Sequence, residues 1–354
     1  MLTQAIENQL FRKVAPFTIR YIQRPDLRSS DTLMSKVLDQ ASREFQIAPP
    51  LTLHHPDPLL MAGVWSMMRE GFVVHAEGRA TREAVAAGVS VLNQCPYCVD
   101  VHASMHNSAG SDKNIITGEL NSGSSLDALA YQWALATLSP DSKTIRSPKI
   151  PPDEIPQLYA TAICFHFINR MVNIFLGEAP MPMPAAGSPF MRAFSRASLQ
   201  FFGKRIVKLD GLPGDHIIDT VPIDLSEEFS WAAADHNVAG GLLRFAYASE
   251  RAGQQAVHED VRTLIESHLN EWQGEAAGLS RSWTDPIIDR LDDRHKPAAR
   301  LALLAARSSW QIDKQVIDDY KSATSGNDKS LIQITGWASY AAVKRIAGWL
   351  NLPR

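Results

Sequence analysis

Arg82-Glu83-Ala84-Val85-Ala86-Ala87-Gly88-Val89-Ser90-Val91-Leu92-Asn93-Gln94-Cys95-Pro96-Tyr97-Cys98-Val99-Asp100-Val101-His102 is the stretch whose reading decides the fold. Its first part is Ala-rich with no strand-like alternation, which predicts a helix over Arg82–Leu92. Asn93-Gln94 marks a chain reversal. Pro96 suits the first position of a second helix, because its fixed φ favours entry and its missing N–H would have had no partner there anyway. Cys95 then falls near the N-cap and Cys98 in the first turn.

This placement has chemical consequences. The positive end of a helix and its free N–H groups favour a thiolate, so one cysteine is expected to have a lowered pKa and to be nucleophilic near neutral pH. The other is one helical turn away, within reach of a disulfide after modest adjustment. His102 follows Cys98 by four residues, on the same helical face, where an imidazole can take or return a proton. If the chain reverses at Asn93-Gln94, Glu83 lies ~15 Å back from the turn and His102 ~12 Å beyond it, side by side on antiparallel helices. A carboxylate there would orient the imidazole and set its tautomer.

Outward from this motif the chain reads as all-α. Helical spacing of Ala, Leu, Arg, Glu and Gln predicts helices over Pro58–Phe72, Leu126–Leu138, Tyr159–Phe175, Glu228–Ser249, Val257–Trp272, Lys296–Ser308 and Ile332–Leu350. With 35 Lys and Arg against 38 Asp and Glu, the formal charge of −3 gives no basic surface for nucleic acid. No run approaches the ~18 apolar residues that span a bilayer. The opening residues lack the features of a secretory signal, so a cytoplasmic protein with no membrane partner is expected. Three cysteines, Cys95, Cys98 and Cys164, are too few for a disulfide-stapled secreted domain. Cys164, in an apolar helix, reads as a small buried residue.

At 354 residues the chain is long for one helical core. Pro and Gly accumulate from Gly177 to about Leu225, around a basic patch at Lys204, Arg205 and Lys208 that reads as a solvated face, and a short helix is expected near Phe190–Phe202. We therefore divide the chain into a first domain (1–180), a linker (181–225) and a second domain (226–354). The halves look related. The His55–Glu70 segment resembles His236–Glu250, and Phe165–Leu176 echoes Ser339–Leu350. At the matching offset Cys95 faces Ser308, Cys98 faces Gln311, His102 faces Gln315 and Glu83 faces Lys296. The second half is thus expected to be a degenerate copy, with one site per chain.

Two other readings of the cysteine pair fit less well. Cys95, Cys98, His102 and His106 have zinc-like spacing, but on one helix they spread over ~16 Å, so all four cannot reach one ion and no metal is expected there. Cys-Pro-Tyr-Cys is also the glutaredoxin tetrad, which needs a strand before it rather than an Ala-rich helix. His106 reads as a surface or packing residue.

Glu83, Cys95, Cys98 and His102, at intervals of twelve, three and four residues, resemble the alkylhydroperoxidase D branch of the carboxymuconolactone decarboxylase superfamily. The resemblance covers the first half and implies two tandem helical domains of that type, the second degenerate. It implies a peroxiredoxin-type oxidoreductase that reduces hydroperoxides, with Cys98 attacking, Cys95 resolving, and Glu83 and His102 relaying protons. It further implies no cofactor beyond an external dithiol or thiol protein, a homo-oligomer, and a pocket lined by Tyr97, His166, Asn169 and Arg170; the last three read equally as part of a buried helix whose Arg satisfies helix ends. One position departs: Tyr97 stands between the cysteines where the best-known members carry a His. Two alternative functions remain: a cofactor-free decarboxylase-like activity, whose known members lack the cysteine pair, and a non-enzymatic redox sensor or scaffold.

Overall fold

Behind Asp31, apolar residues at Met34, Val37, Leu38 and Ala41 recur with helical period, and the Asp31 carboxylate accepts the Met34 amide to start α1 (Thr32–Glu44). This helix is absent from the expected set, although its cap and spacing are readable. The computed structural model describes residues 18–27, 31–74, 77–111, 115, 118–178 and 203–351. Among them no strand forms, and β pairing is limited to an isolated antiparallel bridge between Ile19 and Leu176. No helix among these residues is long and apolar enough to cross a membrane. The helix expected near Phe190–Phe202 lies outside the described residues.

The first half continues with α2 (Pro58–Met68), which runs into a π-helical turn at Arg69–Val73, then α3 (Arg79–Leu92), α4 (Pro96–Ser108), α5 (Leu126–Ala134) and α6 (Ile155–Phe175). The second half holds α7 (His236–Ala256), α8 (Glu259–Glu271), α9 (Lys296–Arg307), α10 (Lys314–Thr324) and α11 (Asp328–Leu350). The single helix expected over Glu228–Ser249 is in fact two elements. A 3₁₀ segment over Glu227–Ala234 stops at Asp235, whose carboxylate accepts the Asn237 and Val238 amides and starts α7 afresh.

Packing partners recur between the halves. α3 lies against α4 and α6, and α9 lies against α10 and α11, while α2 packs on α7 and α6 on α11 across the junction. One apolar cluster runs continuously from Ile19 to Leu350 through both halves. The α2–α7 contact is reciprocal. A Cβ on Gly63 would lie 2.5 Å from the Ala248 Cβ and 3.0 Å from the Arg244 carbonyl. One on Gly241 would lie 2.7 Å from the Ser66 carbonyl and 3.0 Å from the Glu70 Cβ.

A single offset relates Gly63 to Gly241, Ser66 to Arg244, Glu70 to Ala248, and the capping Asp57 to the capping Asp235. Contacts in which residue i meets j and j meets i are those of a two-fold interface. This register aligns Asp57 with Asp235, a few residues away from the pairing of His55 with His236 read from the sequence.

The described part of the connecting segment is bound to the first half. Ile206 and Val207 bury against Met105, while Lys204 and Lys208 stay exposed. Arg69 Nη2 donates to the Leu212 carbonyl at 2.6 Å, and the Gly214 amide donates to Glu70 at 3.1 Å. Burial raises the Glu70 carboxyl to about 7 in spite of Arg69.

Because backbones meet at Gly63, Gly63→Ala is expected to force α2 and α7 apart and cost about 1–3 kcal/mol. Urea denaturation of the full chain measures this; an unchanged midpoint would contradict the close approach.

Candidate active site

The site starts from the reversal between α3 and α4. Gln94 has a positive φ of 51°, a conformation that costs a non-glycine residue roughly 1–2 kcal/mol. The turn is held regardless, because the Cys95 amide donates to the Ser90 carbonyl at 3.0 Å and Asn173 Nδ2 donates to the Asn93 carbonyl at 2.9 Å. Cys95 is the N-cap and Pro96 opens the helix. Both thiols are free and buried, with their Sγ atoms 2.7 Å apart.

Along the antiparallel pair, Glu83 and His102 meet. His102 Nδ1 lies 2.7 Å from Glu83 Oε2, and Arg79 Nε donates to Glu83 Oε1 at 2.8 Å. Glu83 is wholly buried. Burial alone would raise its carboxyl, but the Arg79 charge, with hydrogen bonds from His102 and Arg79, holds it below the ordinary value. A carboxylate only accepts, so His102 carries its proton on Nδ1 and keeps Nε2 as the basic nitrogen. The ring is wedged edge-on between Phe165 and Phe72, at centroid distances of 4.3 and 5.7 Å. Arg79 in turn lies over the Phe72 ring at 4.2 Å. Arg79 was not anticipated, although its position one helical turn before Glu83 was a usable signal.

The lowered pKa expected of one cysteine is not found at Cys98. Burial pushes this thiol well above its ordinary value and the adjacent Cys95 adds to that, while a hydrogen bond with Asn169 acts in the opposite direction. Loss of water around the sulfur outweighs the start of the helix. Tyr97 is buried beside the pair, its hydroxyl pKa raised by burial and by both cysteines.

Asn169, His166 and Arg170 converge on the same turn from α6. Asn93 Nδ2 donates to Asn169 Oδ1 and to His166 Nδ1, both at 3.1 Å, and Asn169 Nδ2 donates to Ser90 Oγ at 3.0 Å. His166 Nε2 lies 2.9 Å from Thr137 Oγ1. Burial and Arg170 hold its pKa well below the usual value, so the ring stays neutral. Arg170 donates to Asn93 Oδ1 at 3.2 Å and, through Nε, to the Ala306 carbonyl at the end of α9 at 2.9 Å. It therefore both satisfies a helix end and joins the two halves behind the motif.

A cleft of about 180 Å³ opens beside Pro96 and Tyr97 and is completed by Trp310 and Ile312 of the second half. A second, of about 360 Å³, is lined by Asn93, Gln94, Arg170, Arg307 and Trp310. The second half's share of these walls was not legible from spacing. His106 is fully buried rather than at the surface, with Nε2 3.2 Å from Asp127 Oδ2. Cys164 is buried, and burial raises its thiol pKa.

Ser308, Gln311, Lys296 and Gln315, the positions set opposite the motif by sequence comparison, assemble no such cluster. Ser308 Oγ donates to Gln311 Oε1 at 3.0 Å, and Gln311 Nε2 is taken up by the Gly278 and Leu279 carbonyls at 2.9 Å. Lys296 pairs with Asp293 at 2.8 Å and Gln315 with Asp319 at 2.7 Å.

Two outcomes follow. Glu83→Gln leaves Arg79 buried without its ion and is expected to cost about 3–5 kcal/mol at neutral pH. Because the Glu83 pKa is lowered on folding, its contribution is complete above the ordinary value of 4.5 and lost as pH falls through the folded value. The gap between the two denaturation curves should therefore close only in acid. In a Cys95→Ser background, Asn169→Ala should move the pH midpoint of Cys98 alkylation by iodoacetamide upward. An unmoved or lowered midpoint would show that the amide does not stabilise the thiolate.

Residues 64–117 match the carboxymuconolactone decarboxylase family. Over 342 residues, 94% of this chain and 95% of the relative, the chain is 28% identical to a Mycobacterium tuberculosis protein named alkyl hydroperoxide reductase. No solved structure matches the chain. Glu83, Cys95, Cys98 and His102 all lie within the stretch, residues 64–117, that is similar to the carboxymuconolactone decarboxylase family.

Proposed function

We propose that the protein is a thiol peroxidase that reduces organic hydroperoxides through a Cys95–Cys98 dithiol/disulfide cycle. The observation that carries this reading is the placement of two free, buried thiols 2.7 Å apart on the helix that also presents the Glu83-bound His102. Similarity to the protein named alkyl hydroperoxide reductase supports the substrate class.

In this mechanism Cys98 gives up its proton, which His102 Nε2 accepts as Glu83 stabilises the imidazolium. The thiolate attacks the distal peroxide oxygen and the O–O bond breaks. The leaving alkoxide takes a proton and departs as the alcohol, leaving Cys98 as a sulfenic acid. Cys95 sulfur then attacks Cys98 sulfur, the S–O bond breaks, and the oxygen leaves as water. An external dithiol supplies two electrons, becomes a disulfide itself, and restores both thiols. The raised Cys98 pKa makes the first proton transfer a requirement, since little thiolate is present in the resting protein.

The second half, in this reading, is a duplicate that has kept the packing of the first and lost its chemistry. Its Trp310 and Ile312 serve as walls of the cleft beside Tyr97. The Ser308–Gln311 pair is inert toward peroxide.

Stopped-flow mixing of reduced protein with an organic hydroperoxide should consume one peroxide per chain and yield the Cys95–Cys98 disulfide. Cys98→Ser should abolish the reaction, and Cys95→Ser should stop it at a sulfenic acid trapped by dimedone. His102→Ala should slow it by about 10²–10⁴-fold. Retention of both thiols after exposure to hydroperoxide would sink the proposal.

A further inference from the structure

In the second half, two histidines and a carboxylate from two separate helix starts face one another. We propose that His258, Asp260 and His295 form a binding site for a divalent transition-metal ion of the zinc class. His258 and Asp260 lie at the N-terminus of α8, and His295 immediately precedes α9. One ligand atom from each of the three falls within 4.8 Å of the others.

Asp260 Oδ2 is 3.5 Å from His258 Nδ1 and 3.8 Å from His295 Nδ1. Around a tetrahedral ion with bonds of ~2.0–2.1 Å, neighbouring ligand atoms stand ~3.3 Å apart. The two His–Asp distances are within about half an ångström of that spacing, and the two ring nitrogens stand within 4.8 Å of each other.

Two features set this group apart from a chance meeting of polar side chains. His295 Nδ1 is buried without a hydrogen-bond partner, although it points toward the Asp260 carboxylate. A buried ring nitrogen left so is costly unless something occupies it. The imidazole rings of His258 and His295 also approach closely, with centroids 4.1 Å apart at an angle of 32°.

The basic residues on either side of His295 in sequence are each paired. Arg294 is paired with Asp292 and Lys296 with Asp293. The one hydrogen bond to be given up is long, from the Asp260 amide to His258 Nδ1 at 3.3 Å.

Imidazole and carboxylate ligands suit zinc, and with three protein ligands the fourth position is open to water. The bound ion would clip the start of α8 to the start of α9. The residues expected to be free of metal, Cys95 and Cys98, are not involved.

The test uses the full chain with Cys95→Ser and Cys98→Ser, so that no thiol of the motif competes. Titration with CoCl2 should saturate at one equivalent, with visible absorption bands of a low-coordinate ion, and ZnCl2 should displace it and raise the melting temperature. His258→Ala and His295→Ala should each abolish the bands and the thermal shift while the metal-free melting temperature stays close to the parent's. No saturable cobalt binding in the parent, or binding that survives both histidine changes, overturns the site.

Discussion

A carboxylate with no solvent contact must be paired, and Glu83 is paired on both oxygens, by Arg79 and by His102. That one constraint organises the first half. It fixes α3 against α4, since its partners come from both helices. It requires the aromatic surround of Phe72 and Phe165, which keeps water from the pair and holds the imidazole ring. It also selects the His102 tautomer, leaving the basic nitrogen on the side of the ring away from Glu83.

The turn between those helices is the point where the two halves meet. Arg170 bridges it to the Ala306 carbonyl, and Asn173 donates both to the Asn93 carbonyl and to Ser309 Oγ. A strained residue such as Gln94 persists only where its surroundings over-determine it, and here the second half supplies part of that surround. The close glycine contacts of α2 on α7 bring the halves near enough for this to happen. The helices of the second half thus help to position the motif of the first.

Most helices were readable from their apolar period, whereas the caps at Asp31 and Asp235, which start α1 and α7, went unread. The motif was readable because Pro96 marks a helix start and intervals of three and four residues share a face. The offset relating α2 to α7 was harder, since small residues align well at several offsets. Only the reciprocal approach of Gly63 and Gly241 selects one. The raised Cys98 pKa was not legible for a related reason: a helix start is a local property, whereas desolvation depends on everything that closes over the sulfur.

By itself the sequence determined the all-helical class, the reversal at Asn93-Gln94 and the presence of Glu83, Cys95, Cys98 and His102 at fixed spacing, because these follow from backbone preference and helical period. The tertiary structure alone decided that Glu83 is sealed from water with Arg79, that Cys98 rests as a thiol, and that Trp310 of the other half walls the cleft. Those outcomes depend on which distant segments exclude solvent from a given atom, and periodicity along a chain carries no such information.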